Sequence, residues 1–231
     1  MRVAFLVDGF NLYHSIRDAE KQLAGRPLRW LDLRAFCQDY VRHFGRDAVL
    51  EGVYYFSALA KHLQAGNPGV VLRHEVYIDA LKSTGVHVTL ANFKARDRYI
   101  PFEHCTFRVR WLKRPFRLPL RRCVVIFQRA EEKETDVAIA TRMMELLHLG
   151  SAEAIVLVSG DTDLLPVIRT ARRLFPSVRI CVCFPFRRQN LDLKQAVTHS
   201  FKVRKEQYAR HQLPDPVVLP NGRVAAKPAP W

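Results

Sequence analysis

Two uninterrupted apolar runs, each closing on an acidic turn, constrain the fold of this chain most. Val3-Ala4-Phe5-Leu6-Val7 leads into Asp8-Gly9-Phe10-Asn11, and Ala154-Ile155-Val156-Leu157-Val158 leads into Ser159-Gly160-Asp161-Thr162-Asp163. Strands that are apolar at every position, rather than at alternate ones, belong to parallel sheets covered on both faces. Such sheets place their sites beyond the carboxyl ends of the strands. Neither run approaches the roughly 20 apolar residues of a membrane span.

The rest of the chain alternates strand and helix patterns, which predicts a doubly wound α/β domain. A strand over Arg2–Val7 is followed by helices over Phe10–Leu23 and Leu33–Phe44, the second capped by Asp32. Strands are expected at Gly52–Phe56 and Val86–Ala91. Between them lie the Asn67-Pro68-Gly69 turn, a helix over Val70–Thr84 and a cap at Gly85. A helix over Thr135–Leu149, the Ala154–Val158 strand, a helix over Leu164–Phe175 and a strand over Arg179–Phe184 complete the core. Cys181 and Cys183 fall in that last strand and read as small core residues. Tyr54, Tyr55 and Phe56 read as core and rim of the second strand, and Asp192 as the cap of a short helix beyond the last one.

Residues 93–130 break the alternation. They carry eleven Lys or Arg against Asp97 and Glu103, so nine of the fifteen net positive charges of the chain lie there. Phe107, Val109 and Trp111 alternate with Arg108 and Arg110 as in a half-exposed strand, which Cys123–Phe127 would pair through the Pro115–Pro119 loop. The segment reads as an inserted basic β-hairpin. Residues 1–205 are assigned to the α/β domain, and 206–231, Pro-rich after Leu213, to an extended C-terminal tail. Five cysteines, an odd number, with no secretion signal point to reduced thiols in the cytoplasm.

A net charge of +15 favours polyanionic partners, nucleic acid above all, over acidic ligands of other kinds. The acidic side chains nevertheless gather at strand ends. Asp8 and Asn11 follow the first strand, Ser159, Asp161 and Asp163 follow another, and Asp136 opens a helix. Close carboxylates repel by about 4 kcal/mol per pair at an effective dielectric near 20. A hard divalent cation relieves that repulsion, and Mg²⁺ or Mn²⁺ suits oxygen ligands. Metal-activated water would then attack a phosphodiester in line. Each Asp taken singly is better explained as a helix cap or turn residue, Asp163 above all, but the four together at strand ends favour a metal site.

Asp8-Gly9-Phe10-Asn11, Lys133-Glu134-Thr135-Asp136 and Ser159-Gly160-Asp161-Thr162-Asp163 resemble, in this order and spacing, the three signature blocks of NYN domains. These belong to the PIN-like superfamily of metal-dependent ribonucleases. The resemblance spans residues 1–200 and implies a Rossmann-like (PIN-like) parallel sheet with helices on both faces. It also implies that Asp8, Asp136, Asp161 and Asp163 hold Mg²⁺ or Mn²⁺, that Asn11 and Ser159 support them, and that RNA is the partner. Lys133 matches its block as a phosphate contact, with a surface lysine as the alternative. NYN relatives carry paired Cys-x-x-Cys elements in the insertion. Here only His104, Cys105 and Cys123 stand there, short of the four ligands of a structural zinc.

In the basic arm, Arg108, Arg110, Lys113, Arg114, Arg117, Arg121 and Arg122 are the candidate phosphate contacts. Phe107, Trp111 and Phe116 would either stack on unpaired bases or anchor the hairpin. His14, three residues after Asn11, reads as structural or solvated rather than as a cleft residue. Two functions remain, a metal-dependent endoribonuclease and a non-catalytic RNA-binding module that keeps the acidic pocket. A phosphatase of the haloacid dehalogenase type would need a second Asp two residues after Asp8, where Phe10 stands. No Gly-rich nucleotide loop is present either. Oligomeric state is open, a homodimer included.

Overall fold

The computed structural model describes residues 1–102, 105–107, 116–118, 123–229 and 231, and within 92–133 the backbone alone. Its centre is a sheet of β1 (Arg2–Asp8), β2 (Val49–Ala58), β3 (His87–Phe102), β6 (Cys123–Lys133), β7 (Ala154–Val158), β8 (Arg179–Phe184) and β9 (His199–Lys202). A small pair, β4 (Cys105–Phe107) with β5 (Phe116–Leu118), lies apart from it. The strand order is β6-β3-β2-β1-β7-β8-β9. Six of these strands run parallel, and β6 runs antiparallel along the β3 edge.

The apolar runs are buried on both faces, as their composition requires. Val3, Phe5 and Val7 face one hydrophobic cluster, while Ala4 and Leu6 face another. The first cluster is covered by α1 (Gly9–Gln22), α2 (Leu33–Val41) and α3 (Val70–Ser83). The second is covered by α4 (Thr135–His148), α5 (Leu165–Leu174) and α6 (Leu191–Ala196), and a seventh helix, α7 (Lys205–Arg210), brings Tyr208 back to the first. Fully burying a side chain such as Phe5 or Leu6 stabilises the fold by about 1.5–3 kcal/mol. The doubly wound architecture expected from the alternating pattern is therefore present.

Local signals explain the helix starts. Asp32 caps α2 by accepting the Ala35 N–H at 2.9 Å. Gly85 ends the α3 turn at φ +83°, a conformation that favours glycine. Asn190, not Asp192, caps α6, its side-chain oxygen accepting the N–H groups of Asp192 and Leu193. Asp192 instead sits in the first turn, where a carboxylate meets the positive end of the helix dipole. β9 escapes the sequence pattern because it is a four-residue edge strand with no apolar run.

Two expectations are corrected. The expected partner strand of Cys123–Phe127 lies outside the described residues beyond Phe107, and the described partner is another one. Cys123–Phe127 pairs with Phe102–Arg98 of an elongated β3, and Cys105–Phe107 pairs with Phe116–Leu118. The mixed apolar and basic composition of 92–102 hid the continuation of β3, because an edge ladder can form through main-chain bonds alone. Nor is the Pro-rich end an extended tail. A second small hairpin, β10 (Val217–Val218) with β11 (Val224–Ala225), packs Val217, Leu219 and Ala225 into the first cluster. The Trp30 indole N–H donates to the Pro214 carbonyl at 3.0 Å, and the Trp231 ring meets Tyr77 edge-on at 5.6 Å. Prolines remove donors, but the intervening apolar residues still find a groove to fill.

Candidate functional site

β1 sits between β2 and β7, and the chain runs outward from it in both directions, so the β1–β7 boundary is the point where strand order reverses. Ligands bind α/β sheets at such switch points. Val7 pairs with Val158 across this boundary, which sets Asp8 beside Ser159. Asp8 is 5 % exposed and Ser159 is 1 % exposed. The Asp8 carboxylate accepts the Asn11 N–H at 2.9 Å through Oδ1 and the Ser159 hydroxyl at 2.8 Å through Oδ2. Asp8 therefore caps α1, and the tight register of two parallel strands supplies the second bond.

The array continues from the serine. Ser159 Oγ accepts the Asp161 N–H at 3.0 Å, and the Asn11 side-chain oxygen accepts the Gly160 N–H at 3.2 Å. Asp161 Oδ1 accepts the Asp163 N–H at 3.0 Å, so Asp161 and not Asp163 caps the 3-10 turn Thr162–Leu164. Asp163 is exposed and enters through its amide. Two glycines let the turns close. A Cβ on Gly160 would stand 2.0 Å from the Arg188 carbonyl oxygen, and one on Gly9 would stand 2.6 Å from the Tyr55 ring and 2.7 Å from the Phe56 carbonyl.

Asp136 arrives from a different element. It is half-buried in the first turn of α4, a helix that packs against β1, β2 and the Thr162–Leu164 turn. Glu134, just before it, holds φ +78°, a left-handed conformation that costs a non-glycine residue about 1–2 kcal/mol. That kink turns the chain from the edge strand β6 into α4.

Of the residues singled out in the sequence, Asp8, Asn11, Ser159 and Asp161 are thus joined in one hydrogen-bonded array. Among the described residues no three Asp, Glu, His or Cys side chains form a group that could hold an ion. The donor set is oxygen throughout, the chemistry of a hard divalent cation.

Arg108, Arg110, Lys113, Arg114, Arg121 and Arg122 lie outside the described residues, as do His104 and Trp111, and for Arg117, Lys133, Cys105, Phe107, Phe116 and Cys123 the backbone alone is described.

Sequence reasoning missed a cavity of about 570 Å³, whose wall includes Gly9, the residue after Asp8. It lies between α1, the end of β2 and the start of α3. His14, read as structural or solvated, lines it. Its ring meets Phe10 at 4.4 Å and Tyr13 at 5.6 Å, and burial, followed by the Arg188 and Arg17 charges, pushes its pKa down. His74 lines the same cavity, and burial lowers it to about 4. Only the apolar–basic composition of Phe10–Arg17 hinted at such a wall. Cys37, Cys181 and Cys183 are buried elsewhere with their thiols pushed up by burial, the last to about 12, which makes them inert.

A parallel α/β sheet with polar and acidic side chains tied together at its switch point is an α/β fold consistent with a PIN-like domain. Residues 2–203 match the NYN domain, and the chain belongs to that family. NYN domains are typically nucleases, and the family implies nucleic-acid binding and, in general, divalent metals. Among curated proteins the chain is similar to the 6-hydroxy-3-succinoylpyridine 3-monooxygenase HspA of Pseudomonas putida (strain DSM 28022 / S16). The two are 24 % identical over 100 % of this chain and 75 % of that one. Among solved structures it is similar to a protein of unknown function from Vibrio parahaemolyticus RIMD 2210633. There the identity is 16 %, the TM-score 0.50, and the match covers 92 % of this chain and 96 % of that one. No helix among the described residues is long and apolar enough to cross a membrane.

Proposed function

We propose that this protein is a divalent-metal-dependent ribonuclease acting at the β1–β7 switch point. The observation that carries the reading is the Ser159 hydroxyl, which donates to Asp8 and accepts from the Asp161 amide, so that two signature blocks are oriented by one buried atom. Asp8, Asp161, Asp163 and Asp136 are the carboxylates that would hold Mg²⁺ or Mn²⁺. When bound, such an ion supplies an activated water and neutralises charge developing on a phosphodiester. Asn11 and Ser159 position Asp8, and pre-orientation of this kind limits the reorganisation required on the way to the transition state. Lys133 and the arginines of 108–122 supply phosphate contacts, with an affinity that falls as salt rises.

A second reading is favoured by the lack of a three-ligand ion group among the described residues. In it the chain binds RNA without cutting it. Cleavage of labelled RNA in Mg²⁺, Mn²⁺ and EDTA separates the two, run beside Asp8→Asn and Asp161→Asn. The nuclease reading requires cleavage that EDTA and both substitutions abolish while RNA binding persists. Binding with no cleavage in Mn²⁺ establishes the module. Oxygenation of a small ring compound, the chemistry in the name of the Pseudomonas relative, is tested by oxygen consumption with 6-hydroxy-3-succinoylpyridine.

A further inference from the structure

The cavity between α1, β2 and α3 has aromatic and basic walls. Its volume of about 570 Å³ falls within the range of small-molecule sites, roughly 300–1,000 Å³. The rings of Phe10, Tyr13, Tyr55, Tyr77 and Trp231 face it. Arg17, Arg29 and Arg73 line it as well, and no Asp or Glu does. Arg29 is paired with Glu20 at 3.0 Å and Arg73 is tied to Asn67 at 2.6 Å, whereas the exposed Arg17 lies 5.9 Å from the centre of the Tyr13 ring.

His74 supplies a second, independent sign. It is half-buried on the cavity wall, and burial lowers its pKa to about 4, so its ring offers one donor and one acceptor nitrogen to the cavity at pH 7. A polar ring edge entering the cavity could hydrogen-bond it. Gly9, the residue that follows Asp8, belongs to the wall.

We infer that this cavity is a nucleobase subsite, taking the ring of one unpaired RNA nucleotide while the phosphate of that nucleotide lies at the rim toward Asp8. Aromatic walls accept a base by stacking, the His74 edge hydrogen-bonds it, and Arg17 meets the sugar–phosphate. A paired base cannot enter, so the subsite selects single-stranded RNA. The placement of the phosphate rests on the nuclease reading; the base pocket does not.

The test is calorimetric titration of the full-length chain with 5′-AMP and 5′-UMP, beside nicotinate as a free aromatic acid and inorganic phosphate as a bare anion. Saturable binding of at least one nucleotide is expected, with nicotinate and phosphate at least tenfold weaker. Tyr13→Ala should weaken nucleotide binding about tenfold, within the range lost with one stacking partner, and His74→Ala several-fold through the lost hydrogen bond. Arg17→Ala, an exposed change that leaves the fold intact, should weaken it several-fold. No nucleotide binding, nicotinate binding as tight as that of nucleotides, or indifference to Arg17→Ala overturns the subsite. Asp8→Asn separates the two proposals, because it should abolish RNA cleavage and spare nucleotide binding. A wild-type chain that binds nucleotides without cutting RNA sinks the nuclease and leaves the pocket. Cleavage without nucleotide binding does the reverse.

Discussion

Replacing Ser159 by alanine removes one atom that serves two signature blocks, and the structure sets the expected cost. The hydroxyl donates to the Asp8 carboxylate at 2.8 Å in a site where Ser159 is 1 % exposed. A hydrogen bond to a charged group contributes about 1.5–3 kcal/mol net, and here the carboxylate would stay buried without that partner. The Asp161 N–H also loses its acceptor at 3.0 Å, but Asp161 is half-exposed and water can replace it, so this adds at most about 1 kcal/mol. Alanine leaves almost no cavity. The total is about 2–4 kcal/mol, or a fall in Tm of roughly 4–16 °C for a chain of this length. Thermal unfolding followed by circular dichroism at pH 7 measures it. A double-mutant cycle with Asp8→Asn locates it, since bonded partners show a coupling of about 0.5–3 kcal/mol. A Tm shift below about 2 °C, or strict additivity with Asp8→Asn, would refute the reasoning that this hydroxyl organises the site.

Gly160→Ala should be more damaging, because its Cβ would lie 2.0 Å from the Arg188 carbonyl oxygen and backbone must move on one side. A loss of at least about 3 kcal/mol, read by urea unfolding, is expected, and a neutral variant would contradict the packing. Stability should rise with pH between about 4 and 6.5, because unfolded His74 binds a proton throughout that window while the folded, desolvated ring does not. The contribution is up to about 3 kcal/mol, and in urea titrations at pH 4.5 and 7 the His74→Phe protein should show a shallower dependence. Removing residues 214–231 should lower Tm by several degrees, since it uncovers Tyr77 and takes the Pro214 carbonyl from Trp30; an unchanged Tm would mean that the hairpin adds nothing to the core.

The central strands and helices were legible because burial on both faces forces an all-apolar run and helix caps demand particular side chains. Asp8, Asn11, Ser159 and Asp161 were legible as a group for a related reason, since glycine-bearing acidic turns after such runs have few other uses. The elongated β3 and its partner β6 were not legible, because an edge ladder held by main-chain bonds leaves little mark on side-chain pattern. The cap alternative offered above all for Asp163 belongs to Asp161, a difference of two residues that periodicity cannot resolve.

Residue types and their order were thus enough to determine a parallel α/β sheet, its acidic strand ends and its kinship with NYN domains, since those features are written locally. Which oxygen meets which proton depended on the register of β1 against β7, a contact between residues about 150 positions apart. The same holds for the aromatic cavity, whose walls come from Phe10, Tyr55, His74 and Trp231. Hydrogen bonds and cavities are made by distance in space, and a chain reveals such distances only after its core has closed.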